Sequence, residues 1–158
     1  MCEPFILAKT GLTIAEHQRL TIDRFLALRD AGTGVYIMPV LQGFAPADYV
    51  RHIEMYGDAL PPGAWVGVGS VCKRNGDARQ IEAVLLAIKA ARPDLRLHGF
   101  GLKTTALRSG LVRSLLFSAD SMAWSYAARR EKGNGNKWQD AEEFRSIIDD
   151  MPIQYQII

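Results

Sequence analysis

Residues 115–124 read LLFSADSMAW, and this run sets the expected fold of the chain. Its apolar start is typical of a strand that is buried on both faces, as strands in parallel sheets are. The run then becomes small and polar and presents Asp120. A carboxylate at the carboxyl end of a buried strand is costly to desolvate, so we expect it either to cap the next segment or to take part in chemistry.

Three earlier apolar runs end in a similar way, in glycine or small polar residues. With the run above, they predict strands at 35–41, 65–71, 95–99 and 114–119. Strands and helices that alternate with spacings of ~20 to 30 residues indicate right-handed βαβ units and a parallel sheet. Because the carboxyl ends of parallel strands meet at one edge, we expect the four strand ends to form one shared site.

Helices are predicted from capping residues and apolar stripes between the strands. The first begins at a capping-box pattern, in which a threonine precedes a glutamate by three residues. The predicted helices begin at Thr13, at Pro46, after the turn at 75–77, at Thr104 and at Asp140, and they end near Asp30, at Gly57, at Pro93, near Arg113 and near Asp150.

The length of the chain bounds its architecture. With 158 residues, of which 48% are hydrophobic, the chain can bury one substantial core, so we expect residues 1–158 to form a single domain. A complete (β/α)8 TIM barrel typically needs ~250 residues and eight strands. The pattern therefore predicts an α/β fold that is either a compact open sheet or the carboxyl-terminal half of a barrel, with four parallel strands and flanking helices.

Composition excludes several classes of protein. The net charge of +2 is too small to indicate a nucleic-acid-binding protein by itself. No apolar run approaches the ~20 residues that span a bilayer, and the first four residues do not begin a signal peptide, so we expect a cytoplasmic protein. The spacing of Cys2 and Cys72 indicates neither a disulfide framework nor a zinc site, and free thiols are expected.

Two strand ends carry candidate base-binding residues. Gln42 and Gly43 end the first strand, where glycine can simply relieve a tight turn, but a planar amide can read a purine edge with a donor and an acceptor. Gly67 and Gly69 alternate with valine in the second strand. Glycine weakens strands, so it is expected where the backbone approaches a ligand or packs closely against another element.

Asp120 is the candidate for covalent chemistry. A carboxylate can attack the anomeric carbon of a nucleoside and expel the base through an oxocarbenium-like transition state, which leaves a glycosyl-enzyme. The carboxylate must be ionised for this reaction, and we expect the hydroxyls of Ser118 and Ser121 and nearby N–H groups to keep it so. The alternative is a structural carboxylate that caps the segment after the strand.

Other polar and aromatic residues near the strand ends have structural interpretations. His98 lies in an apolar strand, where a histidine is more often a satisfied core residue than a catalyst. Lys103 fits a helix start or a phosphate contact better than a Schiff base, because no neighbour in sequence would activate it. Trp124 and Tyr126 are expected to pack, although either ring could also support a base taken out of its stack.

Four motifs together resemble the tRNA-guanine transglycosylase superfamily, with the closest similarity to its DNA-directed branch, the deazapurine DNA-modification (DpdA-like) proteins. The motifs are PVLQG at 39–43, GVGSVCKR at 67–74, HGFG at 98–101 and SADSMAWS at 118–125. Each motif is short, but their order and spacing are fairly specific, and the resemblance runs from residue 2 to about residue 130.

The resemblance implies roles for the residues at the strand ends. It assigns base binding to Gln42 and Gly43 at the first strand end and to Gly67, Gly69 and Ser70 at the second. In the family the glutamine contacts the guanine edge, and a backbone N–H of the glycine-rich strand contacts the base carbonyl.

The same resemblance makes Asp120 the nucleophile. On this interpretation Lys73, Arg74 and Arg129 are candidate phosphate contacts, and Trp124 is a candidate to stack in the space that a flipped base leaves. The implied reaction replaces guanine with a 7-deazaguanine precursor of the preQ0 type, in DNA rather than tRNA, through a covalent Asp-nucleotide intermediate and without a cofactor. A guanine in a duplex has to be flipped out before a carboxylate can reach its sugar.

The sequence departs from the family pattern in two ways that concern the metal site and the catalytic residues. The tRNA enzymes carry a zinc site of clustered cysteines and a histidine, which this sequence lacks, so no metal is expected. The family's second aspartate, a general acid and base, belongs to a strand that would precede Met1, and Glu3 is a weak candidate to contribute to the site. We therefore expect a partner such as an upstream half-barrel or another DNA-modification protein.

Two alternatives remain open at this point. One is a non-catalytic nucleic-acid-binding remnant of such an enzyme, which keeps the pocket without turnover. The other is an unrelated barrel enzyme that uses Lys103 as a Schiff base.

Overall fold

A computed structural model of the protein describes residues 2–131 and 133–152, the side chain of Ala127 excepted, as a mixed α/β fold. Its four strands form one sheet in the order β1-β2-β3-β4, and every neighbouring pair is parallel. The predicted alternation of parallel strands with flanking helices is confirmed. The strands are β1 (Val40–Leu41), β2 (Trp65–Val68), β3 (Arg96–Gly99) and β4 (Ser118–Ala119).

Helices connect and flank these strands. They are α1 (Pro4–Thr10), α2 (Ile14–Asp30), α3 (Pro46–Tyr56), α4 (Ala78–Ala91), α5 (Thr104–Leu107), α6 (Gly110–Leu115), α7 (Tyr126–Arg130) and α8 (Trp138–Asp149). Short 3-10 helices occur at Gly57–Ala59, Val71–Arg74 and Ala123–Ser125.

Capping chemistry places the helix starts where the sequence predicted them. The Thr13 hydroxyl accepts from the N–H of Glu16, and the Glu16 carboxylate accepts from the N–H of Thr13 at 2.7 Å, which confirms the capping box before α2. Pro46 occupies the first turn of α3, and the Asp77 side chain caps α4 by accepting from the Arg79 N–H.

Three predicted strands are too long. Residues 35–39 lie outside β1, although the Pro39 carbonyl accepts from the Gly67 N–H at 2.9 Å, and Val35 and Tyr36 are 67% and 59% exposed. The chain leaves β2 after Val68 and forms the 3-10 helix Val71–Arg74. Residues 114 and 115 belong to α6, which Ser109 caps by accepting from the Val112 N–H at 3.1 Å.

The helices differ from the prediction in four places. The single helix predicted at 104–113 is two helices, because the Ser109 cap starts a new one. Helices α1 and α7 were not predicted, and α8 begins two residues before the expected Asp140.

The two faces of the sheet have different surroundings. Successive strand residues point to opposite faces, so in-register residues of parallel strands share a face. Leu41, Val66, Val68 and Leu97 are fully buried in a core that also contains apolar residues of α2, α3 and α4. The row Val40, Gly67, His98 and Ser118 belongs to the opposite face.

That opposite face carries a row of contacting side chains. Tyr36 stacks on Trp65 with ring centroids 6.1 Å apart, Trp65 meets Phe117 edge-on at 6.2 Å, and Arg96 lies over Phe117 at 5.1 Å. Tyr36 and Phe117 are each 59% exposed. One face of the sheet is thus packed against helices while the other presents aromatic surface.

Within residues 2–131 and 133–152, none of the helices combines the length and the apolar character that crossing a bilayer requires.

Candidate active site

The four strand ends lie at one edge of the sheet. The register pairs Leu41 with Val68, Val68 with Gly99 and Gly99 with Ala119. One residue further on, the same row contains Gln42, Gly69, Phe100 and Asp120. Neighbouring strands are ~4.8 Å apart, so the backbones of Gln42 and Asp120 are separated by roughly 14 Å.

Asp120 lies at the open end of β4, with its side chain 57% exposed. Its Oδ1 accepts a hydrogen bond from the N–H of Gly101, and its backbone carbonyl accepts from Leu102 at 3.0 Å. Both donors belong to the loop after β3. The carboxylate therefore binds a preceding loop and does not cap the segment that follows it.

The hydroxyls expected to hold Asp120 have other partners. Ser118 Oγ lies 2.9 Å from His98 Nδ1 and accepts from Trp65 Nε1 at 3.0 Å, and Ser121 Oγ accepts from the N–H of Ala123 at 3.1 Å. The groups that face the carboxylate are the Gly101 N–H and the His98 ring, whose Nε2 is 3.8 Å from Asp120 Oδ1.

Gly101 is required by its backbone conformation. Its φ is +63°, and a Cβ there would lie 3.0 Å from Cys72 Cβ. Because a left-handed L-residue costs roughly 1–2 kcal/mol, we expect Gly101→Ala to lower the free energy of unfolding by about that amount in urea titrations. Gly76→Ala is the matched control, because a Cβ there meets nothing within 4 Å. Equal stability of the two variants would contradict this assignment.

The backbone of Gln42 is fixed by two buried side chains that the sequence analysis missed. Gln18 Nε2 donates to the Gln42 carbonyl at 2.7 Å, and the Gln42 N–H donates to His52 Nδ1 at 2.9 Å. Burial lowers the pKa of His52 to about 4, so the ring is neutral and can accept. Gln18 had a signal in the sequence, because it lies four residues before Ile22 on the apolar stripe of α2.

The Gln42 side chain is partly occupied. Its Nε2 donates to Thr21 Oγ1 at 3.2 Å, while its Oε1 is buried without a hydrogen-bond partner among the described residues. The amide nitrogen of Gln42 is therefore hydrogen-bonded to α2, while the amide oxygen has no hydrogen-bond partner within the part of the chain that the structure describes.

Aromatic rings explain two of the predicted base-binding glycines by packing. A Cβ at Gly43 would lie 2.8 Å from the Tyr49 ring, and one at Gly67 would lie 2.3 Å from the Phe100 ring. The Tyr49 hydroxyl in turn donates to the Gly69 carbonyl at 2.8 Å, and burial raises the pKa of Tyr49 to about 12. Tyr49 thus ties the two strand ends together.

Unsatisfied polar atoms mark the same end of the sheet. Most buried polar atoms in proteins have a hydrogen-bond partner. Within the described part of the chain, the buried side-chain atoms that lack one belong to Glu3, Gln18, Gln42 and Ser70. Ser70 also has a φ of +67°, the one positive value among the described non-glycine residues. Strain and unmet hydrogen bonds at adjacent strand ends are typical of a binding site.

The predicted nucleic-acid contacts occupy different settings. Lys73 and Arg129 are exposed, and Arg129 donates to the Met122 and Ser125 carbonyls at 3.3 and 3.4 Å. Arg74 lies over the Phe44 ring at 5.4 Å and donates to the Phe44 carbonyl. Lys73, Arg74 and Arg129 therefore follow the carboxyl ends of β2 and β4 in the chain.

An open cleft of about 560 Å³ lies beside Asp120, between β4 and α8. Trp124, Phe144 and Arg145 contribute to its walls. Trp124 therefore borders space next to the carboxylate, as a ring that stacks on a base must.

Lys103 does not occupy the kind of site that a Schiff base requires. It is exposed, and its Nζ lies over the Tyr126 ring at 5.7 Å. A desolvated apolar pocket, which commonly activates lysine, is not present around it.

The side chains described here do not fit a zinc site. In residues 2–131 and 133–152, no three His, Cys, Asp or Glu side chains come together in a way that could hold a metal ion. Cys2 is buried, Cys72 is half-buried, and both are free thiols.

Comparison with known proteins assigns the family. A family model described as DpdA, DeoxyPurine in DNA protein A, matches residues 1–138. The chain belongs to the DpdA family. This membership confirms the resemblance seen in the four motifs and places the chain in the DNA-directed deazapurine branch of the tRNA-guanine transglycosylase superfamily. It gives the protein a role in deazapurine modification of DNA and implies DNA as its substrate. No curated protein and no solved structure matched the chain.

Proposed function

We propose that this DpdA-family chain exchanges guanine in DNA for a 7-deazaguanine precursor of the preQ0 type, with Asp120 as the nucleophile. The observation that carries the proposal is the position of Asp120. An exposed carboxylate, oriented by a backbone N–H, stands at the carboxyl edge of a parallel sheet, in one row with the candidate base-binding residues Gln42 and Gly69. Catalytic groups of (β/α) enzymes occupy this edge.

The reaction proceeds by two successive nucleophilic displacements at C1′. An oxygen of Asp120 attacks C1′ of a flipped-out deoxyguanosine, the bond from C1′ to N9 breaks, and its electron pair leaves with the purine, which takes up a proton from solvent. The incoming deazapurine then loses its N9 proton to solvent, attacks C1′ and displaces Asp120. Two inversions return the original configuration at the sugar carbon.

Base selection takes place at the other end of the row. A purine presents donors and acceptors along its edge, and the unsatisfied atoms of Gln42 and Ser70 can pair with them. Gly43, Gly67 and Gly69 keep the strand ends close-packed around this position, with Tyr49 bridging them. The 7-deazaguanine base is held here by the same amide.

DNA contacts are supplied by cations and one ring around the edge. Lys73, Arg74 and Arg129 provide charge for phosphates, which position the duplex without reading its sequence. Trp124 borders the cleft beside Asp120 and can stack in the space around the flipped nucleotide.

The chain forms the carboxyl-terminal half of a TIM barrel, as a single domain. Parallel sheets are normally covered on both faces. Here one face packs against helices, while Tyr36 and Phe117 on the other are more than half exposed. The strands of an upstream half-barrel would pair with the edge strands β1 and β4 and enclose this aromatic face, which would then become the barrel interior.

Isotope incorporation tests the proposal. Duplex DNA, labelled preQ0 and the chain are incubated together, with and without a candidate partner such as an upstream half-barrel protein, and label in the DNA is counted. We expect time-dependent incorporation with release of one guanine per base inserted. DNA binding with no incorporation under either condition would identify the chain as a non-catalytic remnant.

A further inference from the structure

The ring of His98 bridges two functional side chains. His98 lies on β3 with its side chain 13% exposed. Its Nδ1 is 2.9 Å from Ser118 Oγ, and its Nε2 is 3.8 Å from Asp120 Oδ1. A histidine in an apolar strand is commonly structural, but this one directs a ring nitrogen at the candidate nucleophile.

Hydrogen bonding selects the tautomer of this ring. The indole N–H of Trp65 can only donate, and it donates to Ser118 Oγ at 3.0 Å. The Ser118 hydroxyl has no other acceptor among the described residues, so its proton is satisfied by donating to Nδ1 of His98. A neutral His98 consequently carries its proton on Nε2, the nitrogen that faces Asp120.

Aromatic neighbours hold the ring in this orientation. Trp65 meets His98 edge-on, with ring centroids 5.9 Å apart and an interplanar angle of 85°. Phe100 meets it at 4.8 Å and 72°, and Phe100 itself fills the space above Gly67. These contacts resist rotation of the imidazole, so Nε2 stays directed at the carboxylate.

The geometry argues against a role for His98 as the acid that protonates the departing purine. In a double-displacement reaction the acid and the nucleophile lie on opposite sides of the anomeric carbon, with ~5–5.5 Å between their carboxyl groups. His98 Nε2 is 3.8 Å from Asp120 Oδ1, which is shorter than that separation and adjacent to the nucleophile itself. A group in that position can orient the nucleophile but cannot reach the leaving base.

We propose that His98 is a positioning residue for Asp120, and this inference rests on the proposed function. Its Nε2–H and the N–H of Gly101 both face Oδ1, so Oδ1 is held and Oδ2 is the oxygen that attacks C1′. The role assigned to His98 is orientation, and no proton transfer is attributed to it. Ser118 and Trp65 fix the tautomer, which explains why two polar groups without contact to the substrate lie under the site.

Single-turnover formation of the glycosyl-enzyme tests this role. We expect His98→Ala to slow adduct formation by about 10- to 100-fold, as loss of orienting partners typically does, with the Kd for DNA unchanged. His98→Gln retains an N–H donor and should recover most of the rate. His17→Ala is the matched control, because this half-buried histidine on α2 contacts Thr10 and not Asp120, and it should leave the rate unchanged.

A spectroscopic readout on the wild type keeps the test independent of variant folding. Nitrogen NMR of the imidazole is expected to show a protonated Nε2 and an unprotonated Nδ1, and Ser118→Ala should weaken that preference. A protonated Nδ1 in the neutral ring, or a His98→Ala rate within twofold of wild type, overturns the proposal. A wild type that forms no adduct refutes the proposed function itself, and with it the role of His98.

Discussion

Asp120→Asn is expected to abolish base exchange, with a loss of at least ~10³-fold in the rate of preQ0 incorporation. The amide has nearly the same shape and can still accept from the Gly101 N–H, but it lacks the negative charge that attacks C1′. Because the side chain is 57% exposed, the substitution should leave the free energy of unfolding and the Kd for DNA nearly unchanged.

A matched control separates chemistry from a general loss of charge. Asp23→Asn removes an exposed carboxylate on α2, away from the strand ends, and should leave incorporation at the wild-type rate. Exchange by Asp120→Asn at a rate within tenfold of wild type would assign the nucleophile elsewhere. If wild type and Asp120→Asn both bind DNA but neither exchanges the base, the chain is a non-catalytic remnant.

The second large effect is on stability at mildly acidic pH. The pKa of His52 is lowered from 6.5 to about 4 by burial, so the unfolded chain binds a proton in this window that the folded chain does not. The neutral His52 ring contributes fully to the free energy of unfolding above pH 6.5, and this contribution is lost as the pH falls towards 4. At 1.36 kcal/mol for each pKa unit, the free energy of unfolding should fall by about 3 kcal/mol across the window.

Urea titrations between pH 7 and 4 measure this loss. His52→Gln keeps an acceptor for the Gln42 N–H and a donor for the Gln18 carbonyl but does not titrate. The variant loses the ring contact with Tyr56, whose centroid lies 4.9 Å from that of His52, so it should be less stable than wild type at pH 7. Because glutamine does not titrate, its stability should also depend much less on pH. An unchanged slope in His52→Gln would assign the titration to another group. Because His52 holds Gln42, base binding should weaken over the same pH range.

Local signals in the sequence were sufficient for much of the fold. The capping box at Thr13, the proline at Pro46 and the N-cap Asp77 fixed the starts of α2, α3 and α4, because caps act within one turn of the chain. Strand ends were harder to predict. Residues 35–39 have the apolar composition of a strand but lie outside β1, and the Ser109 cap made residues 114 and 115, which were predicted as strand, part of α6.

The candidate site could likewise be predicted only in part. The motifs marked Gln42, Gly69 and Asp120, and the register places all three at one edge because parallel strands align their carboxyl ends. The supporting side chains could not be found in this way. His52 and His98 owe their settings to contacts with Gln42, Ser118 and Asp120, which are distant in sequence, and a lone histidine carries no spacing signal.

Mass spectrometry of a trapped intermediate tests the central claim most directly. The wild-type chain is quenched during exchange with a short DNA duplex, digested with protease and nuclease, and searched for a peptide that carries a deoxyribonucleotide. The account predicts this mass on the peptide that contains Asp120, and its absence from Asp120→Asn. A nucleotide attached to any other residue, or exchange without a covalent adduct, would contradict it.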